Sequence, residues 1–168
     1  MSLNSISDWS FAVEKIKNIE ERAINAHALS ITKLMERASA AVMTGIEKKF
    51  GMPSEFMIFC GIGNNAGDGY LVAALAAEKS VRVRVIEVGD LRRQNAEVSD
   101  ARSIAVKAGV EFLSQKTDRE ITDGIIIDAL IGTGLRSKMG SDYIEAIKLI
   151  NASKVPVVAI DVPSGLNA

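Results

Sequence analysis

Cysteine and histidine are almost missing from this sequence: there is one of each, Cys60 and His27, in 168 residues. A single thiol cannot close an internal disulfide, which excludes a disulfide scaffold and fits a reducing compartment. The start, MSLNSISDWS, lacks the basic and apolar regions of a signal peptide. No apolar run approaches the roughly 18–20 residues of a membrane-spanning helix. The expected location is therefore cytoplasmic, without a membrane partner. A net charge of −1 gives no electrostatic case for nucleic acid. Only three prolines occur, and there are no repeats, low-complexity tracts or Pro/Ser-rich linkers, so residues 1–168 read as one domain. Nearly half of the residues are hydrophobic, which excludes disorder.

What is present begins with helices. FAVEKIKNIEERAINAHAL spaces Val13, Ile16, Ile19, Ala23 and Ala26 for a first helix, with His27 on its surface or in its packing. A second follows, with Ser30 as N-cap, a stripe of Leu34, Met35, Ala38, Val42 and Ile46, and a stop at Gly51. EFMIFCG (55–61) reads as a strand buried on both faces, with Cys60 as a small core residue. DGYLVAALAAEKS forms a helix; VRVRVIEVG (81–89) a half-exposed strand near an edge; 95–108 a helix stopped by Gly109; VEFL a short strand. GIIIDAL (124–130) and VPVVAIDV (155–162) read as two further buried strands, separated by a helix at 141–152 capped by Ser141. The alternation predicts a three-layer α/β/α sandwich with a mostly parallel sheet, preceded by two N-terminal helices. Ligands bind such sheets outside the carboxyl ends of the strands.

Three strand ends carry unusual polar residues: GIGNNAGDG (61–69), DALIGTGL (128–135) and DVPSGL (161–166). Glycines suit such turns, but a fold does not require an Asp at each. Taken singly, Asp68 reads as a cap of the following helix as well as a site acid, and Asp128 and Asp161 as caps or turn formers. Together, with Thr133, Ser164 and the Asn64–Asn65 pair nearby, they favour one shared site. These loops contain no Cys or His, which argues against a thiol nucleophile or a zinc site. Oxygen chemistry remains: carboxylates, amides and hydroxyls that can hold a hard cation, bind sugar and amide groups, or move protons. Arg136 and Lys138, within GTGLRSK, suit phosphates.

The three segments, together with LMERA (34–38), resemble the NAD(P)HX epimerase family, the YjeF N-terminal domain. The resemblance implies a Rossmann-like sheet and a substrate that is a damaged cofactor, NADHX or NADPHX, hydrated at C6 of the nicotinamide ring. The implied reaction interconverts its R and S forms. The implied substrate contacts are Asn64, Asn65, Ala66, Gly67 and Asp68; Gly132, Thr133, Gly134, Leu135, Arg136, Ser137 and Lys138; and Asp161. Asn65, Asp128 and Ser164 are implied ligands of a potassium ion. A carboxylate that donates and recovers a proton suffices for the chemistry, and Asp161 is assigned that role, with Asp68 second. The implied partner is an ADP/ATP-dependent dehydratase, fused or separate; a homodimer, with the N-terminal helices as contact surface, is a further expectation.

Two departures from the family pattern stand out. Ala66 replaces the usual glycine, and the chain stops just after the third motif, so the domain is expected to be incomplete at its C-terminal end. Two alternatives stay open. One is a non-catalytic nucleotide-binding module. The other is an NAD(P)-dependent reductase using Glu87 or Asp90 as its ribose-binding acid.

Overall fold

The computed structural model describes residues 15, 16, 18, 19, 22, 30–113, 123–134 and 139–166. Of the expected first helix, the few described residues are helical; the rest, His27 included, lies outside the described residues. Helix α1, Ile31–Phe50, begins where expected: Ser30 Oγ accepts from the Lys33 N–H at 3.1 Å, and Gly51 ends the helix at φ 74°. Its buried stripe is Met35, Ser39, Met43 and Ile46, while Ala38 is exposed. Ser39 can be buried because its hydroxyl lies 2.8 Å from Met35 O and 3.2 Å from Asp68 O, which satisfies the donor within the core.

Five parallel strands follow: β1 Glu55–Cys60, β2 Arg82–Glu87, β3 Glu111–Leu113, β4 Ile125–Ala129 and β5 Val157–Ala159, in the order β3-β2-β1-β4-β5. Ile58 sits in register with Val85 on one side and Ile127 on the other. Helices α2 (Asn64–Glu78), α3 (Ala96–Lys107) and α4 (Ser141–Ala152) connect them. Right-handed crossovers place helices on opposite faces when the chain reverses its direction across the sheet. Accordingly α2 and α3 pack, with α1, over Phe56, Ile58, Val83, Val85, Ile125 and Ile127. Helix α4 packs Ala146 and Ile150 against Met57, Phe59, Ile86 and Ile126 on the other face. The reversal falls between β1 and β4, the two central strands.

Strand β2 is half exposed and lies one strand in from the β3 edge, as expected, with Glu55 pairing with the largely buried Arg84 and also with the exposed Arg82. Two expectations change. Strand β5 is short and lies at the edge, with Val157 exposed, so the run 155–162 is not buried on both faces. Gly140, not Ser141, is the N-cap of α4.

The glycines of GDG turn out to be packing residues. A Cβ at Gly67 would lie 2.7 Å from Met35 Sδ, and one at Gly69 would lie 2.6 Å from Ala129 Cβ. Their absence of side chain lets α2 lie directly on α1 and on the sheet.

Candidate active site

The carboxyl ends of β1, β4 and β5 bring the three polar segments to one edge of the sheet. At β4, Asp128 is 5% exposed and accepts every hydrogen bond it makes. Its Oδ2 receives the Ser164 N–H at 2.8 Å; its Oδ1 receives the Ser164 hydroxyl at 2.6 Å and the Leu130 N–H at 3.2 Å. Ser164 Oγ in turn accepts from the Ile131 N–H at 3.0 Å and lies 3.1 Å from Ile131 O. This knot ties the loop after β5 to the loop after β4. Hydrogen bonds to a carboxylate are the stronger kind, and here they are shielded from water.

Asp161 sits beside the knot with a different character. It is exposed, and its backbone adopts φ 67°, a left-handed conformation unusual for a residue with a side chain. Its Oδ2 accepts from the Thr133 N–H at 2.7 Å, whereas Oδ1 has no partner among the described residues. Gly132 makes room for this carboxylate, since a Cβ there would overlap Asp161 Oδ2.

The glycine turn after β1 leads into α2. Gly63 is the N-cap, so the helix begins at Asn64, four residues before Asp68. Asp68 therefore is not the cap; it lies a turn inside the helix, with its carbonyl oxygen 3.2 Å from Ser39 Oγ. Asn64 Oδ1 accepts from Asn95 Nδ2 at 2.9 Å, and Asn95 Oδ1 caps α3 through the Val98 N–H at 2.9 Å. The Asn65 amide is buried at both its oxygen and its nitrogen, yet among the described residues neither has a hydrogen-bond partner. A buried orphan amide of that kind points to a missing partner at the site.

The structure thus joins Asp128 to Ser164 and Thr133 to Asp161, and places Asn65 and Asp68 on the first turns of α2. Among the described residues no hydrogen bond joins Asn65 to the Asp128–Ser164 pair. Leu135, Arg136, Ser137 and Lys138 lie outside the described residues. Sequence reasoning missed Asn95, although its position opening a helix carried a capping signal. It also missed Tyr143, for which an amphipathic helix offered none. The Tyr143 hydroxyl sits between two loops, where a Cβ at Gly89 would lie 2.8 Å and one at Gly61 3.2 Å from it. Burial, then the neighbouring Asp142, pushes this phenol up.

The acids expected of a reductase are committed elsewhere. Glu87 faces α2 and α3, where Tyr70 donates to it at 2.7 Å and Arg102 at 2.6 and 3.1 Å. Tyr70 is pushed far up, first by burial. Asp90 is held bidentately by Arg92 at 2.8 Å, and that contact draws its carboxyl below the ordinary range.

The strand order and the polar edge define a Rossmann-like α/β protein whose chemistry is gathered where the sheet reverses. The family described as YjeF-related protein N-terminus matches residues 31–168, and the chain belongs to that family. An NAD(P)H-hydrate epimerase of Weissella koreensis is 38% identical over 159 residues, which cover 92% of this chain and 69% of that one. A bifunctional NAD(P)H-hydrate repair enzyme of Pyrobaculum aerophilum is 34% identical over 167 residues. The match covers 92% of this chain, but this chain spans only 33% of that enzyme's length. The crystal structure of yeast ynu0 (YNL200c) superimposes with a TM-score of 0.78 at 19% identity, covering 95% of this chain and 72% of that one, which establishes the shared fold.

Proposed function

We propose that this protein is an isomerase that interconverts the R and S forms of hydrated NADH and NADPH in nicotinamide cofactor repair. The observation that carries the reading is Asp161: one carboxylate oxygen fixed by the Thr133 N–H, the other without a partner among the described residues, on a backbone in a left-handed conformation. C6 of the hydrate bears a hydroxyl next to the ring nitrogen. Its configuration is lost when that hydroxyl leaves with a proton, and restored in either sense when water returns to one face or the other. Asp161 donates the proton to the departing hydroxyl and recovers one from the incoming water. Asp68 is the second candidate. Asn64 to Asp68, Gly132 to Gly134 and Asp161 contact the substrate, with Leu135, Arg136, Ser137 and Lys138 continuing that wall. The relatives' names as hydrate epimerases and repair enzymes support the substrate class.

A potassium ion fits the residues present. Asn65 Oδ1, the Asp128 carboxylate and Ser164 Oγ are hard oxygen donors, and the Asn65 amide, which has no partner among the described residues, has an oxygen that a cation would satisfy. Among the described residues, no three His, Cys, Asp or Glu side chains cluster as metal ligands, which suits a weakly charged ion over a divalent one. When bound, the ion supplies fixed positive charge beside the substrate. A dehydratase acting on one epimer, fused or separate, is the partner that such a reaction serves, and a homodimer is part of the same reading. No described helix is long and apolar enough to cross a membrane; a cytoplasmic location is the reading adopted.

The test is exchange of (R)- and (S)-NADPHX followed by NMR or HPLC, with and without potassium, on wild type and Asp161→Asn. Wild type equilibrates the epimers, and Asp161→Asn loses exchange while retaining binding. Exchange at the wild-type rate in the variant would remove Asp161 from its role. Tight nucleotide binding by wild type without exchange would favour a non-catalytic binding module.

A further inference from the structure

The loop after β2 has no part in the site as described so far. In doubly wound sheets of this kind a dinucleotide lies across the switch point. Its adenosine ribose reaches the end of β2, where an acid binds the 2′-hydroxyl or an arginine accepts the 2′-phosphate. Here the acid at that position, Glu87, is turned towards α2 and α3 and bonded to Tyr70 and Arg102. The next acid, Asp90, is occupied by Arg92. Arg93 follows. It is exposed, and it makes no salt bridge or side-chain hydrogen bond among the described residues. Its charge is felt by Asp90 and by the Tyr143 phenol. Gly89, which opens this loop, lies against Ile62 of the glycine turn after β1 and against the Tyr143 hydroxyl, so the loop that carries Arg93 borders that turn.

We infer that Arg93 binds the 2′-phosphate of NADPHX, and that the phosphorylated hydrate is the preferred substrate. This rests on the epimerase reading above and adds a direction to it. The adenosine half lies over β1 and β2, and the hydrated ring lies over β4 and β5, beside Asp161. A guanidinium fork matches phosphate geometry and carries its charge at every working pH. The two ribose hydroxyls of NADHX offer that charge nothing to pair with, and no acid at the end of β2 is available to receive them.

The experiment compares kcat/KM for NADPHX and NADHX in wild type, Arg93→Ala, Arg93→Lys and the neighbouring control Arg92→Ala. It is joined by NMR titration of each protein with adenosine 2′,5′-bisphosphate and with 5′-AMP. Wild type favours NADPHX. In Arg93→Ala the NADPHX/NADHX ratio falls about tenfold, the loss expected for one charge-assisted contact. Arg93→Lys falls between, Arg92→Ala keeps the ratio, and added salt narrows the wild-type preference. Adenosine 2′,5′-bisphosphate binds Arg93→Ala more weakly than wild type, and 5′-AMP binds both alike. An unchanged ratio in Arg93→Ala, or equal weakening of both nucleotides, overturns the assignment. If wild type exchanges neither hydrate while Arg93→Ala still loses the bisphosphate selectively, the epimerase reading falls and the phosphate site stands.

Discussion

The Asp128–Ser164 knot permits a quantitative ranking of two conservative substitutions. Ser164→Ala removes the hydroxyl that donates to Asp128 Oδ1 at 2.6 Å and strands the Ile131 N–H, 3.0 Å from Ser164 Oγ. A hydrogen bond to a charged group contributes about 1.5–3 kcal/mol, and leaving a buried donor unsatisfied costs about 1–3 kcal/mol, so the expected loss is about 3–5 kcal/mol. Asp128→Asn is gentler, because the amide has a choice of orientation. Its NH2 placed at the Oδ1 position donates to Ser164 Oγ, whose own proton turns to Ile131 O, 3.1 Å away. Only the 3.2 Å bond from Leu130 and the charge assistance are lost, about 1–2 kcal/mol. Because the two residues share one bond, the double variant should fall short of the summed costs by about 1 kcal/mol. Urea unfolding at neutral pH reads these values directly. In thermal melts they correspond to roughly 10 °C for Ser164→Ala and about 4 °C for Asp128→Asn in a chain of this size. The bond assignment would be refuted by Asp128→Asn being the costlier change, or by Ser164→Ala lying within about 0.5 kcal/mol of wild type.

Gly132→Ala should slow epimer exchange by about 10–100-fold with little change in melting temperature, because the new methyl displaces the Asp161 carboxylate from the Thr133 N–H; an unchanged rate would separate that carboxylate from the chemistry. Stability should fall on the alkaline side. Burial raises the Cys60 thiol above its ordinary 9.0 and the Tyr70 phenol far above its ordinary 10.0, so near and above those values the unfolded chain releases protons that the folded chain retains. Melting temperature is then flat up to about pH 8.5 and declines beyond it, and Cys60→Ser removes the part that begins first. Arg102→Met should cost about 1–3 kcal/mol in urea unfolding. It removes the Arg102 cation from the Glu87 carboxylate, an effect moderated by the 34% exposure of the arginine side chain.

How far the sequence disclosed this molecule depended on which interactions are local. Ser30, Gly51 and Gly109 mark helix ends through backbone rules that act within a few residues, and each stands at the end it was assigned. The polar strand ends were legible for the same reason: each departs from an apolar run at a position where only a turn was needed. Long-range pairing was not legible. Arg84 of β2 suggested exposure like its neighbour Arg82, yet it is largely buried against Glu55, almost thirty residues earlier in the chain. Ser39 stood outside the expected apolar stripe of α1, and its burial draws on the carbonyl oxygen of Asp68 in another helix as well as that of Met35. Asp68 itself was misplaced relative to its helix start, because Gly63 caps through its backbone alone and leaves no side-chain signature. Tyr143, on α4, meets the loops after β1 and β2 only once the sheet has formed.

The left-handed backbone of Asp161 has a consequence for what substitution can mean at that position. Glycine, asparagine and aspartate tolerate such a φ, while longer side chains pay on the order of 1–3 kcal/mol to enter it. Asparagine therefore preserves the loop and abolishes proton transfer. Glutamate keeps an acid and distorts the turn that aims it. The ordinary scale of chemical similarity, on which glutamate is the mildest replacement, does not apply here. Conformation and acidity are two separate filters, and aspartate is the one carboxylic acid that passes both.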